Sequence, residues 1–238
     1  ASDITLLDDN YATIEAAIRR GRAVFDNVWK FVAYLLSANV AEVLLVLIAS
    51  LFGYLILPAV QLLWINLLTD GLPALAIGAD PAADDVMDRQ PRRTRGVIDR
   101  PMATLVLGIG GTSTVVLLGV MWLTLDGAPE TTAYAMTMVF TGFVVFESAK
   151  LYVVRWARET APLRNPWLAG AVVLSLFLQV AVLYTPLGRY FGTVALGLAD
   201  WGILVAALGI AMPFYLAVAR SVRRSVHSGW TVHGGETG

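Results

Sequence analysis

The sequence predicts an all-α membrane protein: six transmembrane helices, both termini in the cytoplasm, and a short α/β remnant of a soluble domain at the N-terminus. Three observations carry that prediction. Of 238 residues, 57% are hydrophobic and only 15% are charged, with a mean hydropathy of +0.68, more apolar than a soluble domain with a polar surface sustains. Six apolar stretches, at 31–53, 57–79, 103–125, 132–154, 166–185 and 200–219, are each long enough to cross roughly 30 Å of hydrocarbon as a helix. The cations alternate with those stretches. Arg19, Arg20, Arg22 and Lys30 precede the first span, and Arg89, Arg92, Arg93, Arg95 and Arg100 lie between the second and third. Arg155, Arg158 and Arg164 lie between the fourth and fifth, and Arg220, Arg223 and Arg224 follow the sixth. Only Arg189 falls on the other side, so the positive-inside rule places both ends in the cytoplasm.

The net charge of −1 says little as a sum, because the charges are segregated along the chain. Nucleic acid is not indicated as a partner; the lipid bilayer is. The absence of cysteine excludes a disulfide framework, a thiolate metal site and a cysteine nucleophile. No catalytic residue is assigned.

The elements follow in order. Ile4-Thr5-Leu6-Leu7 has the look of a short buried strand, and Thr13 through Arg22 that of a helix running into the first span. Residues 1–22 therefore read as the last piece of a soluble domain, with a cut end at Ala1. The first span carries Asn39 and Glu42, spaced i,i+3 on one helical face near its middle. The second carries Asn66, Thr69 and Asp70, spaced i, i+3, i+4, again one face and one depth. Because consecutive spans are antiparallel, one pocket between them can receive both sets, and Glu147 on the fourth span closes it.

The second helix is expected to break at Asp70-Gly71-Leu72-Pro73. Pro73 has no N–H, so the carbonyl of Thr69 loses its helical partner, and a helix broken at mid-membrane exposes backbone oxygen to ions. In the third span, Gly108, Gly110 and Gly111 suit close approach to a neighbouring helix. Trp64, Trp122, Trp167 and Trp201 suit interface anchoring or packing. The tail from 221 to 238 follows the last span, with a glycine-rich end expected to fray.

Of the 18 acidic residues, Glu42, Asp70 and Glu147 stand inside spans, away from their ends. Each costs several kcal/mol unpaired in hydrocarbon. A single Asn or Thr in a membrane helix is usually interhelical glue, and for Asn66 alone that would serve. It does not serve for five polar groups on two facing helices with a further carboxylate opposite. Asn39, Glu42, Asn66, Thr69, Asp70 and Glu147 offer only oxygen ligands, suited to Ca²⁺ and less specifically to Na⁺ or Mg²⁺. Lys150, three residues after Glu147, either pairs with it or snorkels toward the interface near Arg155, and the nearby span end favours snorkelling.

Several stretches resemble the P-type cation-transporting ATPases, specifically the calcium pumps of the sarco-endoplasmic-reticulum type. They are Leu36-Ser37-Ala38-Asn39-Val40-Ala41-Glu42, the run Gln61-Leu62-Leu63-Trp64-Ile65-Asn66-Leu67-Leu68-Thr69-Asp70-Gly71-Leu72-Pro73-Ala74, and Val86-Met87-Asp88-Arg89 with Pro91-Arg92. The resemblance implies that residues 1–22 end the phosphorylation domain, that 23–220 are the last six of ten spans, and that 221–238 are a cytoplasmic tail. It also implies Ca²⁺ as transported ion, with Asn39, Glu42, Asn66, Thr69, Asp70 and Glu147 as its ligands. ATP and Mg²⁺ then act only through domains absent from this chain. The partner so implied is the N-terminal half of the pump: actuator, nucleotide-binding and phosphorylation domains and the first four spans.

The sequence departs from the family at Lys150, where such calcium pumps carry a neutral residue. It also lacks the Asp-Lys-Thr-Gly-Thr phosphorylation motif, the Thr-Gly-Glu loop and the Pro-Glu-Gly-Leu helix, so one calcium site is nearly complete and a second only half built. Sodium pumps of the family carry an acidic residue where Asn66 stands, which favours calcium. Two alternatives stay open: a pump for Na⁺, Mg²⁺ or H⁺ with Lys150 as internal counter-cation, and a stand-alone membrane protein or accessory subunit without ATP coupling.

Overall fold

A computed structural model describes residues 10–83, 85–88, 98–125, 133–158 and 164–228. Every regular element among them is helical. Six stretches are long and apolar enough to cross a membrane, in the order that hydropathy predicts, the first of them starting at Tyr11, well before the apolar run at 31–53.

Helix α1 (Tyr11–Leu51) has 41 residues, about 60 Å at 1.5 Å per residue, twice what roughly 30 Å of hydrocarbon requires. Its N-terminal part, residues 11–21, is exposed throughout and stands clear of the bundle. Asn10 starts it, its side chain accepting from the Ala12 N–H at 3.0 Å, as an amide at an N-cap does. The helix expected over Thr13–Arg22 is the opening of α1 and runs without a break into the first span. The strand expected at Ile4–Leu7 lies outside the described residues, as do residues 89–97 of the arginine-rich loop and the glycine-rich end from 229.

The second span is composite: α2 (Ala59–Trp64), a π-helical turn over Ile65–Thr69, and α3 (Gly71–Gly78). Helix α4 (Arg100–Thr124) is capped by Asp99, which accepts from Met102 N–H at 2.8 Å, with Pro101 in the first turn. Helix α6 (Pro166–Tyr184) repeats the device with Asn165 and Pro166. Between these two lies α5 (Ala133–Ala157). A short α7 (Gly188–Phe191) interrupts the next connection, and α8 (Leu198–Ser228) ends the described chain, continuing the last span through residues 221–228.

Helix α5 is the centre. It packs against α1, α4, α6 and α8 and is 78% buried over its most apolar window, the most enclosed of the spans. Helix α4 sits between α1 and α8, and α3 between α1 and α6. Glycine permits the α4 contacts. A Cβ on Gly108 would lie 2.8 Å from the Val218 methyls of α8, and one on Gly110 would lie 2.9 Å from Val40 and 3.1 Å from the Ser37 carbonyl of α1. Gly111 faces open space, so two of the three expected glycines serve close approach and the third does not. The outward faces stay apolar, with Val43, Leu47, Leu107, Val115, Phe177 and Phe214 exposed, as lipid-facing surfaces are.

The tryptophans divide as their positions suggest. Trp122 meets Phe52 and Tyr54 edge-on at 5.7 and 5.8 Å at one rim of the bundle, and Trp167 is exposed. Trp64 packs against Phe191 of α7 at 5.0 Å, while Trp201 donates to the Tyr184 hydroxyl at 2.8 Å.

Candidate cation site between the first, second and fourth spans

The site is built on a distorted helix. Pro73 withholds an N–H from the Thr69 carbonyl, and its ring crowds that carbonyl. The backbone responds one turn earlier: the Asp70 N–H donates to the Ile65 carbonyl at 2.8 Å, five residues back, and the Thr69 hydroxyl donates to the same oxygen at 2.8 Å. The break expected at Asp70–Pro73 is therefore displaced upstream. Residues 65–69 take the wide turn that π-bulges bring to functional positions, and regular α-helix resumes at Gly71. The Thr69 carbonyl faces the hydroxyl of Tyr34 on α1, 3.5 Å away.

The six expected ligands fall into two groups, Asn39, Glu42 and Asn66 on the open side and Thr69, Asp70 and Glu147 in the interior. Glu42, half-buried, accepts from the Asn66 amide at 2.9 Å on both carboxylate oxygens. Asn66 also donates to the Leu62 carbonyl at 3.0 Å. Asn39 stands exposed one turn before Glu42, on the same open side as Asn66. The second group is interior. Asp70 is buried, its Oδ1 3.5 Å from the Tyr34 hydroxyl and its Oδ2 without any hydrogen-bond partner. Glu147 is equally buried; its Oε1 accepts from Lys150 and its Oε2 has no partner.

Asp70 lies within electrostatic reach of Glu147, Lys150 and Glu42, so the carboxylates outnumber the ammonium of Lys150. Among the described residues no three acidic or imidazole groups form a closed metal cage. The interior pair and the Glu42–Asn66 pair stand apart as two halves.

Lys150 corrects an expectation. Its side chain is wholly buried and bonded to Glu147, and its ammonium lies 5.7 Å from the centre of the Tyr34 ring. It does not snorkel. The reason is that two carboxylates and an aromatic face surround it on the inside of α5, the most enclosed helix, and an ion pair there avoids leaving Glu147 alone in hydrocarbon.

Two features escaped the sequence reading. Tyr34 joins the Thr69 carbonyl, Asp70 and Lys150, yet an aromatic residue in an apolar run carries no signal of that role. The second is Asp80, two residues beyond α3 and buried, whose Oδ2 accepts from Lys30 at 2.6 Å and from Arg155 Nε at 2.9 Å. Its Oδ1 accepts from Asn165 at 2.8 Å. Burial pushes the Asp80 carboxyl up, but the bonds from Arg155 and Lys30 outweigh it and hold its pKa below the ordinary carboxylate value.

Comparison with known proteins finds relatives of the chain. The family model described as "Cation transporting ATPase, C-terminus" matches residues 54–221. The chain is 38% identical over 235 residues to a calcium-transporting ATPase of Bacillus subtilis (strain 168), which covers 94% of this chain and 26% of that protein. It is 32% identical over 255 residues to the endoplasmic reticulum-type calcium-transporting ATPase 3 of Arabidopsis thaliana, covering 90% of this chain and 24% of that protein. The chain thus spans about a quarter of the length of the curated relatives it matches.

Proposed function

The chain belongs to the cation-transporting ATPase family, matching its C-terminal part, and from that premise we propose that it carries a Ca²⁺ transport site driven by ATP hydrolysis in domains outside it. The observation that carries the proposal is the pair of buried carboxylate oxygens, Asp70 Oδ2 and Glu147 Oε2, that have no hydrogen-bond partner. A buried acceptor without a partner costs roughly 1–3 kcal/mol, more when charged, and a hard cation satisfies it. The proposed ligands all offer oxygen, which fits calcium.

Asn39, Glu42, Asn66, Thr69, Asp70 and Glu147 are the proposed ligands. Asp70 is the interior anion, and the Thr69 carbonyl freed by Pro73 is a neutral donor. Glu42 and Asn66 are the outer half, on a face that the first four spans of a complete pump would cover. Closing that face brings the halves together around the ion, and opening it releases the ion. In this reading residues 1–22 end the phosphorylation domain, α1 is the stalk that transmits its movement, and both termini are cytoplasmic, as the distribution of arginine supports. ATP, Mg²⁺ and the phosphorylated aspartate belong to the missing domains. In the full-length pump, Asp70→Asn should abolish Ca²⁺-dependent phosphorylation by ATP. Unchanged calcium dependence would remove the proposed site.

One observation favours a second reading. Lys150 already occupies one oxygen of Glu147, as an internal counter-cation would, so a pump for Na⁺, Mg²⁺ or H⁺ is the alternative. Phosphorylation supported equally by Na⁺ or by protons without calcium would select it.

A further inference from the structure

Each helix that bears a proposed ligand also sends one charged side chain to a single buried point. Helix α1 carries Glu42 and, twelve residues earlier, Lys30. The second span carries Asp70, and Asp80 follows ten residues later, two residues past the end of α3. Helix α5 carries Glu147 and, eight residues later, Arg155. At 1.5 Å per residue the anchor lies roughly 12–18 Å along each helix from the ligand it shares that helix with. Lys30 and Arg155 both donate to Asp80 Oδ2, at 2.6 and 2.9 Å.

The knot is tightened from a fourth helix. Asn165, the N-cap of α6, donates to Asp80 Oδ1 and to the Ala76 carbonyl, each at 2.8 Å. Asn27 of α1 donates to the Asp80 carbonyl at 2.8 Å and the Gly78 carbonyl at 3.3 Å. One helical turn from Arg155, Arg158 pairs with Asp26 at 3.1 Å and lies over the Trp29 ring at 4.3 Å.

Resting on the reading that these helices hold a transported cation, we propose that Asp80 is a positioning residue of the ion site. It is the common anchor that sets how far apart the ligand-bearing helices stand. Apolar side chains alone would hold such a bundle together, and a buried ion cluster contributes little net stability against its desolvation. What it adds is direction, since a carboxylate with three donors from three helices fixes their axial register, which sliding apolar surfaces do not. The middle of the second span contains the π turn at Ile65–Thr69, directly before α3. With the Asp80 end clamped, a displacement of α1 reaches Asp70 through the short rigid α3 and is absorbed at that turn.

The test uses the full-length pump, with phosphorylation by ATP measured against Ca²⁺ concentration. Asp80→Asn keeps the side-chain shape and one acceptor but removes the charge. The half-maximal Ca²⁺ concentration should rise roughly fivefold or more, the usual size of coupling between separated sites. Maximal phosphorylation per folded molecule should stay near wild type, and Asp80→Glu should restore part of the affinity. Should Asp80→Asn fail to fold, Lys30→Gln, which leaves Arg155 and Asn165 in place, should shift the half-maximal concentration in the same direction by less. A half-maximal concentration unchanged in either folded variant, with phosphorylation lost only in proportion to unfolded protein, overturns the inference. A wild-type pump showing no calcium dependence overturns instead the site reading beneath it.

Discussion

Replacing Lys150 with methionine isolates the chemistry of the interior site. Methionine fills most of the volume of the lysine stem, so packing around Tyr34 and α5 is largely kept, and what disappears is the ammonium bonded to Glu147. Both side chains are within a few percent of complete burial, so neither can turn to water. Removing one partner of such a pair costs about 3–5 kcal/mol, because the remaining carboxylate is left uncompensated. On the proposed function, a calcium ion bound beside Glu147 and Asp70 would supply the missing charge. The variant should therefore unfold more easily than wild type without calcium and recover most of the difference with it. If half of the lost energy reappears in binding, calcium affinity rises by roughly tenfold or more. The assay is thermal unfolding of the detergent-solubilised full-length pump across a calcium titration. The double variant Lys150→Met with Glu147→Gln removes both charges and should show neither the instability nor the calcium gain, which makes the coupling measurable as a cycle. A loss of stability that is the same with and without calcium would refute the reasoning, since Lys150 would then be packing and nothing more.

Other consequences follow from the packing and the Asp80 knot. Gly110→Ala should destabilise the bundle by about 1–3 kcal/mol through overpacking against Val40 and the Ser37 carbonyl. Gly111→Ala, with nothing near its new methyl, should be neutral or stabilise by up to about 1 kcal/mol through helix propensity, both read as unfolding temperatures in detergent. The depressed pKa of Asp80 gives a pH signature of definite sign. Its ionised form contributes fully above the unfolded carboxylate value near pH 4, and that contribution is lost as pH falls through the lower folded value. The stability difference between wild type and Asp80→Asn should thus be constant near neutrality and shrink below about pH 4.

The spans were legible because lipid imposes one rule on all of them, a long apolar run with its cations displaced to the ends. The unusual residues were legible for the converse reason: Glu42, Asp70 and Glu147 stand out against hydrocarbon. What spacing did not convey was how they are partnered. Lys150 was expected to leave the interior because the span end is near, but the side chain follows the local field, and Glu147 one turn away is the nearer sink. Spacing located the Thr69 carbonyl that Pro73 leaves without a donor, but not the wide turn over Ile65–Thr69 that precedes it. Tyr34 and Asp80 carried no legible signal, since an interior tyrosine looks like core and Lys30 and Arg155 look like the flanking cations of any membrane helix. Only three-dimensional convergence on one carboxylate separates them from that pattern.

The central claim is that Asp70 and Glu147 hold calcium, and equilibrium binding of radioactive Ca²⁺ to the full-length pump without ATP tests it most directly. Wild type should bind calcium saturably, and Asp70→Asn should lose that binding while keeping the wild-type unfolding behaviour in calcium-free buffer. Saturable binding of unaltered affinity in Asp70→Asn would contradict it.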